Sequence, residues 1–318
     1  MNLPPLPKQP LVSIVTPSYN QAAFLEQALI SVLEQNYLRL EYIVVDGAST
    51  DGSVDIIRKY ADKLTFWVSE KDGGQAEAIN KGFSRAKGEI FAWLNSDDYY
   101  LPGTISAAVK VFREHPDLVL IYGNLLAVNE HSQTTNLLHY GQLTLEDLLC
   151  FQIIGQPAVF FRREAFEITG GLDTSYHCFL DHHLWLRMAL QGRILHVDQT
   201  WAAARFHPAA KNRARSAEFS REAFRLFDWA KDHPELSPIL ARAPRPARAS
   251  LHRVDARYML DGGQPWKSLG AWFRALFIHP PTALARMNIL ASALLYLTGF
   301  GRLHAMYLER RQTRLRQR

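Results

Sequence analysis

The stretch AWLNSDDYYLP, residues 92–102, carries a mostly apolar run straight into Asn95, Ser96, Asp97 and Asp98. An ionised carboxylate beside a low-dielectric interior costs several kcal/mol unless it is paired or holds a metal ion. Two adjacent ones at the end of a buried strand suit a divalent cation. Mg2+ and Mn2+ prefer oxygen ligands and use one or two carboxylates, completed by phosphate oxygens. The competing reading, a solvated pair in a turn, loses ground to the pattern of other polar residues. Residues 16–20, residues 46–51 and Asp72 also follow apolar runs. Four strand ends bearing Asp, Asn, Ser and Thr form one site if the strands lie side by side.

The elements that must do this positioning are legible. LVSIVTP (11–17), EYIVVDG (41–47), LTFWVSE (64–70), EIFAWLN (89–95) and LVLIYGN (118–124) are short apolar or β-branched runs and read as strands. Between them, residues 21–35 place Leu25, Ala28, Leu29, Val32 and Leu33 on one helical face. Residues 53–62, 74–88 and 102–116 read as further helices, the second expected to end on Gly88 and the third to stop before Pro116. Strands alternating with helices predict a mostly parallel sheet flanked by helices, with ligands at the carboxyl ends of the strands. After residue 125 the pattern loosens. QPAVFFRREAFEITGGLD (156–173) reads as strand, short helix and turn, and DHHLWLRMALQGRILHV (181–197) as helix then strand. From about residue 215 the chain reads as helical, broken at PRPAR (244–248).

Composition sets outer bounds. With 318 residues, 47% hydrophobic and 21% charged, the chain can bury a sizeable core. Cys150 and Cys178 are too few for a disulfide scaffold and read as reduced thiols. The start, MNLPPLPKQP, has no apolar h-region, so no signal peptide is expected. The net charge of +5 is concentrated in GRLHAMYLERRQTRLRQR, residues 301–318. That tail suits nucleic acid or an anionic membrane surface, or is a solvated terminus. The longest uncharged run near it, residues 287–301, falls short of the ~20 residues that span a bilayer.

VSIVTPSYNQAAFLEQALISVLEQ, EYIVVDGASTDGS, AINKGFSRAKGEIFAWLNSDD and DHHLWLRMALQG, in this order, resemble the family 2 glycosyltransferases. The resemblance covers about residues 11–210. It implies the α/β nucleotide-sugar-binding fold called GT-A, with an N-terminal extension (1–10), a catalytic domain (11–214, divided into 11–125 and 126–214) and a C-terminal helical region (215–318). By the family's pattern, Thr16, Pro17 and Tyr19 lie against base and ribose, and Asp46 accepts a hydrogen bond from the base. Asp72 and Gln75 fall where further base or ribose contacts are made. NSDD matches a D-x-D motif with Asn95 in place of the first carboxylate, so that Asp97 contacts the ribose or positions the metal and Asp98 ligates it. Asp181 matches the catalytic base, although it also suits a helix N-cap. RFHPAAKN makes His207 a further metal ligand and turns Arg205 or Lys211 to the diphosphate. Gln156 faces the acceptor. Gly170 and Gly171 read as turn residues. His182 and His183 point about 100° apart on a helix, which argues against one shared ion.

The resemblance thus implies an inverting, Mn2+- or Mg2+-dependent transfer from a nucleotide sugar, by default a UDP-sugar. The acceptor would be a glycan or lipid-linked hydroxyl in cell-surface polysaccharide or lipopolysaccharide synthesis. Location would be cytoplasmic or peripheral on the inner face of a membrane, with the C-terminal region meeting anionic lipid and no nucleic acid partner. A non-catalytic nucleotide- or partner-binding protein of the same fold is the alternative. A nucleotidyltransferase ranks lower, because TPSYNQAA lacks a glycine-rich basic phosphate loop. A dinucleotide-dependent oxidoreductase lacks its G-x-G-x-x-G after the first strand.

Overall fold

The computed structural model describes residues 3–207 and 215–300. A nine-stranded sheet forms from β1 (Val12–Ser18), β2 (Leu40–Asp46), β3 (Phe66–Ser69), β4 (Ile90–Trp93), β5 (Tyr99–Tyr100), β6 (Leu118–Val128), β7 (Thr134–Leu138), β8 (Val159–Arg162) and β9 (Arg193–Arg205). Its order is β3-β2-β1-β4-β8-β6-β9-β5, with β7 on β6. The pairs β1–β2, β1–β4 and β2–β3 are parallel, as the apolar runs predict. Beyond β4 the sheet is mixed: β8 enters antiparallel between β4 and β6, β6–β9 is parallel, and β5 runs antiparallel to β9.

The helices that cover this sheet are α1 (Ala22–Leu33), α2 (Ser53–Lys59), α3 (Gln75–Phe83), α4 (Thr104–Glu114), α6 (Arg163–Ile168) and α7 (Leu180–Gln191), with α5 (Leu145–Leu149) between β7 and β8. The buried face of α1 is Leu25, Ala28, Leu29 and Val32, at the spacing that the sequence shows. Two expectations need correction. Helix α3 ends at Phe83, so Gly88 is not its cap. Gly88 is required instead by close approach: a Cβ there would lie 2.7 Å from the Leu11 carbonyl oxygen. PRPAR does not interrupt a helix but opens one, because Pro fits the first turn, where its missing N–H is no loss.

Two compact units divide the chain. The first comprises Met1–Val128, Leu137–Gln142 and Ile154–Arg205. Its core joins Val12, Ile14, Leu25, Tyr42, Val44, Ile90 and Phe112, all nearly inaccessible. An aromatic cluster on α3, α6 and α7 locks helices to strands: Phe83 stacks on Phe91 at 4.6 Å and Trp93 on Trp185 at 5.2 Å. Gly82 lets α3 approach β1, since a Cβ there would fall 2.5 Å from the Val15 side chain.

The second unit comprises Asn129–Asn136, Leu143–Ile153 and Phe206–Arg318. Among its described residues are α8 (Ser216–Asp232), α9 (Ser237–Leu240), α10 (Pro244–Asp261), α11 (Pro265–Ile278), α12 (Pro280–Leu284) and α13 (Met287–Leu297). Its small core is Ala249, Ala256, Ala271, Trp272, Ala275, Ala283 and Ile289. Among the described residues no helix is long and apolar enough to cross a membrane.

Candidate functional site

The carboxyl ends of β1, β2, β3 and β4 lie together, because parallel register aligns Ser18 with Asp46 and Asp46 with Ser69. The loops that follow are tied to one another. Asn20 N–H donates to Ser49 Oγ at 2.8 Å, Thr50 N–H to Asn20 Oδ1 at 2.9 Å, and Ala22 N–H to Asp51 Oδ2 at 2.8 Å. Asp51 thereby satisfies an orphan donor in the first turn of α1. Burial works against its charge, yet hydrogen bonds from Ser53 and from the Ala22 N–H hold its carboxyl below the usual range. Asn20 and Ala48 adopt left-handed φ values of 51° and 61°. An alanine there is strained by roughly 1 kcal/mol, and such strain concentrates at functional loops.

Asp46 is fully buried and accepts from Ser49 N at 2.9 Å, Ser49 Oγ at 2.5 Å and Ser69 Oγ at 2.7 Å. Two of these bonds hold the loop that carries Gly47, and the third ties Asp46 to the end of β3. Gly47 is where Tyr19 and Asp72 converge: a Cβ there would lie 3.1 Å from Asp72 Oδ2 and 3.2 Å from Tyr19 Cδ2. Tyr19 is 65% exposed, an aromatic face open to solvent. Burial, and to a smaller degree the charges of Glu77 and Asp46, push the Asp72 carboxyl up, against the hydrogen bond that it accepts from Gly74 N–H. Pro17 is buried. Thr16 differs from expectation. It is fully buried, its hydroxyl shares a 2.9 Å hydrogen bond with Tyr42, and its side chain has no open surface for a base or ribose.

The NSDD turn is held by a network of amides. Gln75 Nε2 donates to Asn95 Oδ1 at 2.6 Å, Asn95 Nδ2 donates to Gln156 Oε1 at 3.0 Å and Asp98 Oδ2 at 3.2 Å, and Gln156 Nε2 donates to Trp93 O at 2.8 Å. Asn95 therefore replaces a carboxylate with a donor that faces one. Asp98 is 6% exposed, and its Oδ1 accepts from Arg205 N–H at 2.9 Å. Burial first, then the neighbouring Asp97, raise its carboxyl well above the ordinary value. The Arg205 guanidinium donates to Asp97 O at 2.9 Å and Gln27 Oε1 at 2.6 Å and lies 4.6 Å from the Phe24 ring centre, so it also braces the turn.

Asp181 stands in the first turn of α7, one residue inside the helix, and not at its N-cap, which is Phe179. Its Oδ1 accepts from His182 N–H at 2.7 Å. Two devices that the sequence reading missed fix this helix. Arg187 donates from Nη1 to Thr169 O at 2.6 Å and from Nη2 to Gly171 O at 2.7 Å, which clamps α7 to the glycine turn. Asn80 on α3 bonds reciprocally with Leu172 O at 2.7 Å and Leu172 N at 3.0 Å. Arg187 and Asn80 lie within LWLR and AINKGF, where neither residue type signals its distant backbone partner. Gly170 and Gly171 both have φ of 76°, which fits turn residues. His182 and His183 are buried, beside the Phe179 ring at 6.0 Å and the Tyr176 ring at 4.5 Å respectively. His207 is buried and belongs to the second unit. Lys211 lies outside the described residues.

The family described as glycosyl transferase family 2 matches residues 13–187. This chain belongs to that family. It is 29% identical over 213 residues to an uncharacterized glycosyltransferase, RT0329, of Rickettsia typhi, covering 63% of this chain and 65% of that protein. It is 33% identical over 160 residues to the putative teichuronic acid biosynthesis glycosyltransferase TuaG of Bacillus subtilis, covering 49% of this chain and 64% of that one. The chain spans less than two thirds of the length of these relatives. Among solved structures it is similar to the mannosyltransferase PcManGT of Pyrobaculum calidifontis in complex with GDP-Man and Mn2+, with TM-score 0.61, 22% identity and 98% and 90% of the two chains covered. It is also similar to S. aureus TarS 1–349 in complex with UDP-GlcNAc, with TM-score 0.55, 16% identity and 94% and 92% covered. At these identities the likeness is one of fold, and that fold is GT-A.

Proposed function

We propose that this family member transfers a sugar from a nucleotide-sugar donor, taken here as a UDP-sugar, to a hydroxyl of a glycan or lipid-linked acceptor. The reading takes residues 11–214 as catalytic and 215–318 as a helical appendage. Its strongest support is the Asp98 carboxylate. It is buried, it neighbours Asp97, and its oxygens accept from neutral donors, a backbone N–H and an amide. The Arg205 guanidinium donates to Asp97 O and Gln27 and packs over Phe24, so its charge offsets that of Asp98 only in part. A buried carboxylate in that state calls for a cation. The oxygen donors of Asp98 and Asp97 fit Mn2+ or Mg2+. A bound divalent ion supplies charge that offsets the growing charge on a leaving diphosphate.

The chain's own residues do the rest. Tyr19 offers its exposed ring to the base, beside Gly47 and Asp72. Asp181 accepts the proton of the acceptor hydroxyl as that oxygen bonds to the anomeric carbon and the bond to the diphosphate breaks. Single displacement inverts the anomeric centre. Arg187 clamps the helix that carries Asp181 to the glycine turn, and Asn80 ties the end of that turn to α3. The printed name of the Bacillus relative favours a cell-surface polysaccharide as the product.

Calorimetric titration with UDP, GDP and dTDP, each with and without Mn2+, tests this reading. We expect metal-dependent binding of one nucleotide that Asp98→Ala removes. Folded protein that binds none of the three would overturn it.

A further inference from the structure

Charge is divided unevenly along the chain. Residues 262–318 hold nine Lys or Arg and one Glu, while residues 1–261 hold 27 basic and 30 acidic residues. The positive part therefore sits on a chain that is otherwise slightly acidic. Residues 265–300 contain no Asp or Glu at all.

The same segment exposes large apolar side chains. On α11, Trp266 is 74% exposed, Phe273 43% and Phe277 81%. At 100° per residue, positions 266, 270, 273 and 277 fall within one narrow stripe. The opposite side of α11 holds Ala271, Trp272 and Ala275, which are buried in the unit's core. Lys267 and Arg274 lie along one edge of the stripe, and both are exposed. Helix α13 repeats the division: Met287 and Leu294 are exposed on one side, Ile289 and Ala293 buried on the other. Every exposed charged residue on these helices is a cation, and among the described residues none of Lys267, Arg274 and Arg286 has a carboxylate partner.

We propose that the outer faces of α11 and α13 dock on an anionic lipid bilayer, lying in the interface plane. A helix with aromatic and aliphatic residues on one face and cations beside them partitions its apolar face into the boundary between headgroups and acyl chains. Trp is the side chain best suited to that boundary. Cations beside the apolar face gain from anionic headgroups. The arginines of residues 301–318 add to that attraction by charge alone. A protein partner of ordinary composition would be met by a face of mixed sign, whereas this face is apolar and cationic without an acid. Spanning is set aside for these helices because none is long and apolar enough. This inference does not rest on the proposed transfer reaction.

The test is flotation of the full chain with vesicles of phosphatidylcholine alone or mixed with phosphatidylglycerol, together with sedimentation without lipid. We expect flotation with the anionic vesicles, weakened by salt. The triple variant Trp266→Ser, Phe273→Ser, Phe277→Ser should bind roughly tenfold more weakly, and Arg274→Ser with Arg286→Ser should weaken the preference for anionic lipid. Because the substituted side chains are exposed, nucleotide binding and circular dichroism should match the parent and show that the variants fold. Absence of flotation by the parent would overturn the proposal, as would equal flotation by the triple variant. A parent that sediments as a dimer, dissociated by the triple variant and without affinity for lipid, would reassign the face to a second copy of the chain.

Discussion

Asn95→Asp is the most informative substitution, because it restores the first carboxylate of a D-x-D pattern and should nevertheless harm the metal-free protein. Asn95 Nδ2 donates to Asp98 Oδ2 at 3.2 Å and to Gln156 Oε1 at 3.0 Å. Aspartate removes both donors. Two unit charges 3.2 Å apart repel by about 5 kcal/mol at an effective dielectric of ~20. Protonation caps that cost at about 4 kcal/mol for an ordinary carboxyl at pH 7, and lower here because burial already raises the Asp98 carboxyl. A flip of the Gln156 amide would offer the new carboxylate a donor but would turn Oε1 onto Trp93 O, which has no proton to give. The expected loss without divalent ions therefore runs from about 1 kcal/mol, for leaving Gln156 Oε1 without its donor, to about 4 kcal/mol. In a chain of this size each kcal/mol shifts the melting temperature by about 2–4 °C, so the fall should be about 2–16 °C. Thermal unfolding in chelator reads it directly. Added Mn2+ should recover more of the melting temperature in the variant than it adds in the parent, because a cation between the two carboxylates replaces the lost donors. A variant that melts in chelator within about 2 °C of the parent would refute the account of Asn95 as the neutral hub of the turn.

Asp181→Asn should abolish transfer while leaving nucleotide affinity unchanged, since an asparagine Oδ1 still accepts from His182 N–H; full activity would remove Asp181 from the base role. Arg187→Leu leaves the Thr169 and Gly171 carbonyls without their donor at a cost of about 2–4 kcal/mol, and kcat should fall more than donor KM rises. Arg187→Lys should restore part of the kcat, and an equal loss in both variants with KM rising instead would reduce Arg187 to fold maintenance. Gly47→Ala pushes a methyl against Asp72 and Tyr19 and should raise donor KM by roughly tenfold with kcat little changed; an unaltered KM would separate this convergence from donor binding.

The strands β1 to β4 and helices α1 to α4 were legible because a parallel strand covered on both faces is a continuous apolar run, and its helices are strongly periodic. The same continuity hides which way a side chain points. Every residue of β1 is buried, so the pattern could not reveal that Thr16 turns to Tyr42. Strand β5 is only Tyr99–Tyr100, two residues made into a strand by pairing with Ala202 and Ala203 about a hundred positions later. Partners that far apart leave no local period to read.

Arg205 shows the limit most clearly. Its motif placed it at the right strand end, yet its direction is decided by Phe24 and Gln27 on α1, some 180 residues earlier. Asn95 and Gln156 were read separately, one as a departure from a metal motif and the other as an acceptor-side residue, while the structure joins them by one hydrogen bond. That bond makes the two readings dependent. Whatever shifts Gln156 on the acceptor side must also move the amide that faces Asp98, because Asn95 Nδ2 is shared between them. A Gln156→Leu variant should therefore alter divalent-ion affinity as well as acceptor KM, and a change confined to the acceptor would break that link.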